Sequence, residues 1–130
     1  MRIALAQLNP TVGDLAGNRR LVEEAAAKAA SERADLLLTS EMVLTGYPPM
    51  DLLERNGFVR DQLRELDALA AASHEVALAV GAVVPIEGER GAFQNACVLL
   101  AAFAAASSTR RRLPARSPTV GFSWASAIRM

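Results

Sequence analysis

Apolar and polar positions are arranged in blocks of different period along this chain. Over residues 2–8, Ile3 and Leu5 fall on one side of an extended segment and Ala4, Ala6 and Leu8 on the other. That pattern predicts an opening strand buried on both sides. Asn9-Pro10 and Val12-Gly13-Asp14 punctuate the chain as turns. Leu21, Val22, Ala25, Ala26 and Ala29 then recur at helical spacing as far as Ser31, with Asn18 as the expected cap. Ala34 to Thr39 is a short apolar run after a polar stop and predicts a second buried strand. Strand, helix and strand in this order imply a βαβ unit and an α/β fold.

Ser40 to Pro49 reads as a loop with a tight Gly46-Tyr47-Pro48-Pro49 corner. A helical turn is expected over Asp51 to Arg55. A longer helix is expected over Val59 to Ala72, with Leu63, Leu66, Leu69 and Ala70 on one face. Val76 to Val84 predicts an apolar strand ending at Pro85, Glu87 to Gly91 a hairpin loop, and Asn95 to Leu100 the returning strand. After Ala101 the pattern has no clean period.

Composition narrows the class. The chain has 130 residues, 52% of them hydrophobic, enough to build the core of one domain or of a piece of one. The single cysteine, Cys97, excludes an intramolecular disulfide and makes a reducing, cytoplasmic setting the default. The apolar start is too short for a signal-peptide core. No run of about 18 apolar residues suggests a membrane span. Formal net charge is zero, so no global electrostatic partner is implied. The average hides a break: every acidic residue lies between Asp14 and Glu89, while Gly91 to Met130 carries only arginines (Arg110, Arg111, Arg112, Arg116 and Arg129). Such a shift marks a boundary, a basic tail or sequence of different origin.

Among residues that could carry chemistry, Glu41 stands just past the carboxyl end of an apolar strand, where open α/β folds place ligands. Met42-Val43-Leu44 follow, so apolar surroundings are expected, a setting that suits a general base. By position alone, a capping or ion-paired glutamate is the simpler reading. Cys97, mid-strand among Ala96, Val98 and Leu99, reads as a buried, inert thiol. Lys28, the only lysine, follows Glu24 at the spacing of a surface ion pair on a helix. His74 falls between a helix end and a strand, where the helix C-terminus accounts for it. No metal-ligand cluster or phosphate-binding glycine loop is visible. Arg110-Arg111-Arg112 invites phosphate contacts, but no aromatic interleaving accompanies it and nucleic acid is not expected as a partner.

Four segments taken together are more specific. They are Ile3 to Pro10 with Val12-Gly13-Asp14 and Asn18; Ala34-Asp35-Leu36-Leu37 leading to Glu41; Leu44-Thr45-Gly46-Tyr47-Pro48-Pro49 with Asp51-Leu52-Leu53; and Val80-Gly81 with Asn95-Ala96. In this order they resemble the amidase domain of glutamine-dependent NAD synthetases, a branch of the nitrilase superfamily. Ser40 and Met50 depart from the family's usual proline and acidic residue. The resemblance covers residues 1–100, a partial carbon–nitrogen hydrolase domain, and leaves 101–130 as an unmatched basic tail.

The resemblance implies an α/β fold, a partial nitrilase-type α-β-β-α sandwich, and glutamine as the amide donor. The family works with a glutamate base, a lysine that stabilises the tetrahedral state, and a cysteine that forms a thioester and releases ammonia. Glu41 matches the glutamate, which reverses the simpler reading of that residue. Tyr47, within the most specific motif, is a candidate substrate contact. The lysine would fall in Thr109 to Pro114, where three arginines stand, and arginine is not its equivalent. The cysteine is expected later than Met130, and Cys97 does not match it.

No cofactor is expected in this chain, since ATP and magnesium serve the family's synthetase domain. The family is oligomeric. The expected function is thus part of a glutamine-hydrolysing amidase that supplies ammonia for NAD synthesis, inactive alone. The alternatives are a small amidase using Cys97 and Lys28, and a non-enzymatic binding module using the basic tail. A reading-frame shift near Leu100 to Ala102 is one hypothesis that accounts for both the lost resemblance and the lost acidic residues.

Overall fold

The βαβ unit expected at the start of the chain is realised in a computed structural model, which describes residues 1–72, 75–89, 91–100 and 121–122. Strand β1 (Ile3–Leu5) leads through helix α1 (Leu15–Ser31) to β2 (Leu36–Leu38). A short 3-10 turn (Met50–Glu54) and helix α2 (Phe58–Ala71) precede β3 (Ala77–Pro85) and β4 (Phe93–Leu100). The sheet order is β1-β2-β3-β4-β5, with β5 the two-residue strand Gly121–Phe122. The first three strands are parallel; β4 and β5 are antiparallel to their neighbours.

Register assigns the two faces. Ile3 pairs with Leu36, and Leu5 with Leu38; Leu38 pairs with Ala79. Ala79, Gly81 and Val83 pair with Leu99, Cys97 and Asn95. Paired residues project to one side of a sheet and their sequence neighbours to the other. Leu37, Leu78, Val80, Ala82 and Val98 therefore share the opposite face. There they are buried with Val22, Ala26 and Ala29 of α1 and Leu66 and Leu69 of α2. Both helices cover this one face. Arg19 clasps them together: its Nε donates to Glu65 at 2.7 Å, and its Nη1 donates to Glu23. The Glu65 hydrogen bond raises the Arg19 pKa, against a smaller opposing effect of desolvation.

Several sequence expectations change. β1 is not buried on both sides: Ile3 and Leu5 are exposed, because the helices pack only on the Ala4 side. Asn18 is not the cap of α1. Asp14 is, accepting from the Gly17 amide at 3.0 Å. Asn18 lies inside the helix and is buried. Ala70 is exposed, and Gln62 takes the buried position on α2 instead. Gly121–Phe122, expected in a patternless tail, pairs with Cys97 and Val98 because β4 offers a free edge there. His74, Arg110, Arg111, Arg112 and the segment Ala101 to Ala106 lie outside the described residues.

Candidate active site

The site begins where β2 stops. β3 runs on past Leu38, so its backbone amides on that edge lose their strand partners. Two side chains replace them. Thr39 Oγ1 accepts from Gly81 N at 3.1 Å, and Gln62 Oε1 accepts from Val83 N at 2.8 Å. Thr39 N also donates to Ala79 O at 3.0 Å. The chain therefore leaves β2 pinned against β3, and its next residues, Ser40 to Met42, cross directly over Gly81. A Cβ at Gly81 would stand 2.9 Å from Glu41 Cα and 2.8 Å from Met42 N, and closer still to Ser40 O. Only glycine admits this approach.

Glu41 occupies the crossing point, with its side chain exposed. Met42, Val43 and Leu44 do not supply the apolar surroundings expected for its carboxylate; Leu38, Ala96 and Cys97 line a concavity beside it. The side chains of residues 42–44 turn away and are buried, Val43 and Leu44 in the core under the helices and Met42 with Leu53, Val59 and Val83. Met42 reaches that position with φ +48°, a left-handed conformation unusual for a long side chain. Its buried side chain anchors the turn that presents Glu41.

The rest of the loop is held from the other end. Asn18 Nδ2 donates to Leu44 O at 2.9 Å and to Thr11 O at 2.8 Å, and its Oδ1 accepts from Thr11 N at 2.8 Å. Gly13 N donates to Thr45 O at 2.9 Å. Gly46, at φ +71°, lies so close to Val12 that a Cβ would meet its backbone N at 2.8 Å. One buried asparagine thus ties the first turn of the chain to the loop that carries Glu41. The Tyr47-Pro48 peptide is cis, and Tyr47 is 63% exposed.

Around Glu41 a shallow concavity of about 340 Å³ opens on the uncovered face of the sheet. Leu38, Gly81, Asn95 and Cys97 contribute to its lining. Asn95 Nδ2 donates to Glu41 Oε1 at 2.5 Å. Cys97, expected to be buried, is half-buried and lines the same concavity. It pairs with Gly81 on the face away from the core helices, where the loop through Glu41 covers Gly81 and Met42, Leu53 and Val59 bury Val83. Tyr47 does not line the concavity. Lys28 is exposed on α1, with the sheet between it and Glu41, and no ion pair joins it to Glu24. Among the described residues there is no cluster of His, Cys, Asp or Glu able to hold a metal, and no helix long and apolar enough to cross a membrane.

A carboxylate at the carboxyl end of parallel strands, held by a neutral donor, is suited to moving a proton. Residues 2–120 match the carbon–nitrogen hydrolase family. The chain belongs to that family. Glutamine-dependent NAD(+) synthetase from Synechocystis is 49% identical over 84 residues, covering 64% of this chain and 15% of the relative. The enzyme of the same name from Rhodobacter capsulatus is 39% identical over 114 residues, covering 87% of this chain and 20% of the relative. This carbon–nitrogen hydrolase chain thus spans a fifth or less of the length of these relatives. An amidase from Nesterenkonia sp. superposes with a TM-score of 0.63 at 30% identity, over 76% of this chain and 37% of that one. The sheet with two helices on one face is one part of the nitrilase-type α-β-β-α architecture.

Asn95 and Asn18 entered the sequence reading as motif members, without these roles. The signals were present. Asn18 precedes Val22 by one helical repeat, which places it on the buried stripe. Asn95 alternates with Cys97 and Leu99, which places it opposite Ala96 and Val98.

Proposed function

We propose that this chain forms the opening part of a glutamine-hydrolysing amidase domain that supplies ammonia for NAD synthesis, with Glu41 as its general base. One observation carries the reading. The carboxylate of Glu41 is presented at the end of β2, over Gly81, and hydrogen-bonded to Asn95 at the rim of a concavity. The NAD synthetase relatives support glutamine as the amide donor, and Tyr47, exposed on the same loop, is its proposed contact. No cofactor is assigned to these residues; ATP and magnesium would belong to a synthetase domain. The setting is cytoplasmic.

In this reading Glu41 takes the proton of an attacking thiol and returns it to the leaving ammonia. Neither Lys28, across the sheet, nor Cys97, on the strand beside Asn95, matches the family's lysine or nucleophile. The isolated chain is therefore proposed to be inactive.

The test is a chimera in which residues 1–100 replace the corresponding segment of the Rhodobacter capsulatus relative. Ammonia release from glutamine is expected from the chimera and not from the isolated chain. A chimera that unfolds cooperatively but releases no ammonia would overturn the reading. Release by the isolated chain that is lost in Glu41→Ala would overturn the claim of inactivity.

A further inference from the structure

We propose that Asn95 is a positioning residue that selects the working rotamer of Glu41. This rests on the reading of Glu41 as a base. The backbone around Glu41 is already fixed: Thr39 pins the chain to Ala79 and Gly81, and Gly81 lies directly beneath the Glu41 Cα. What remains free is the side chain, with three rotatable bonds and an exposed surface. An unrestrained glutamate of this kind spreads over many rotamers and loses entropy when it must adopt one.

Asn95 is the one described side chain that holds it. The strand register places Asn95 opposite Val83 on the open face, and its Nδ2 reaches Glu41 Oε1 at 2.5 Å. No described cation pairs with Glu41. The chemistry of the partner matters. A carboxamide has two N–H donors and no charge, so it orients a carboxylate through one oxygen and leaves the other to accept a proton. A guanidinium would engage both oxygens in a fork and compete with the substrate. Aspartate at the same position has the same shape without the donor.

The experiment uses the intact, isotopically labelled chain. Three-bond couplings across χ1 and χ2 of Glu41 report its rotamers, and the two Asn95 Nδ2 protons report the hydrogen bond. Wild type is expected to show the couplings of a single staggered rotamer. One Nδ2 proton should be displaced downfield of its twin, and that displacement should disappear in Glu41→Ala. Asn95→Ala and the isosteric Asn95→Asp should both move the couplings toward the three-rotamer average. Amide shifts on the helix-covered face should stay in place. The double variant Glu41→Gln with Asn95→Asp reverses the donor and acceptor and should restore a single rotamer, which a merely structural role for Asn95 would not do. Averaged couplings in wild type, or unchanged couplings in Asn95→Asp, would overturn the proposal. None of these readouts needs turnover. An ordered Glu41 in a chimera that releases no ammonia would remove the amidase reading and leave the positioning role standing.

Discussion

The two faces of the sheet use similar side chains to opposite ends. On the helix side, Leu37, Leu78, Val80, Ala82 and Val98 are buried beneath α1 and α2. On the other side, Ile3, Leu5, Leu38 and Leu99 are 48%, 77%, 39% and 47% exposed, yet Leu38 and Leu99 stand in the same strands as Leu37 and Val98, one residue out of phase. Stability is concentrated on the first face, because burial removes apolar area from water there. The second face carries the candidate chemistry: Glu41, Asn95, Gly81 and Cys97 around one concavity.

Substitutions can break this contrast one face at a time. The largest effect is expected from Leu78→Ala, which opens a cavity in the helix-covered core. It should lower stability by about 2–5 kcal/mol, read from the urea unfolding midpoint. A loss under 1 kcal/mol would mean that the helices are loosely docked. Gly81→Ala comes next. The added methyl group meets the backbone of Ser40 to Met42, and the displacement should cost about 1–3 kcal/mol. It should also shift the Glu41 amide resonance more than any on α1 or α2, a distribution that nuclear magnetic resonance can check.

Asn18→Ala leaves Leu44 O and the Thr11 backbone without their buried partner. The expected cost is also about 1–3 kcal/mol, with faster hydrogen exchange at Thr11 and Gly13 as the local sign. The smallest effect belongs to the open face. Leu5→Lys should change stability by no more than about 0.5 kcal/mol while reducing self-association in sedimentation experiments. Equal losses from Leu5→Lys and Leu78→Ala would erase the distinction between the faces.

Much of this architecture is legible in the sequence because periodicity survives without tertiary context. The strand–helix–strand start, the 3-10 turn, α2 and the β3–β4 hairpin all follow from apolar spacing and from turn residues. Alternation, however, reports which residues share a face and not whether that face is covered. Ile3 and Leu5 read as buried for that reason and are exposed. Cys97 reads as buried for the same reason and is half-buried, since an apolar run gives no sign that one of its sides is open. Asn18 looked like a cap because asparagine favours helix ends; its buried contacts reach Leu44, far along the chain. The place of Glu41 just past β2 was legible from the apolar run that ends before it. Its hold by Asn95 was not, because that contact depends on the chain after β2 crossing over Gly81.

The most direct test of the account uses the chimera with one variant from each face. Glu41→Gln should lower ammonia release by about 10²–10⁴-fold and leave the unfolding midpoint where it was. Leu78→Ala should lower the midpoint and leave release intact below it. Full release from a folded Glu41→Gln chimera would contradict the assignment of the open face as the working face and of Glu41 as its base.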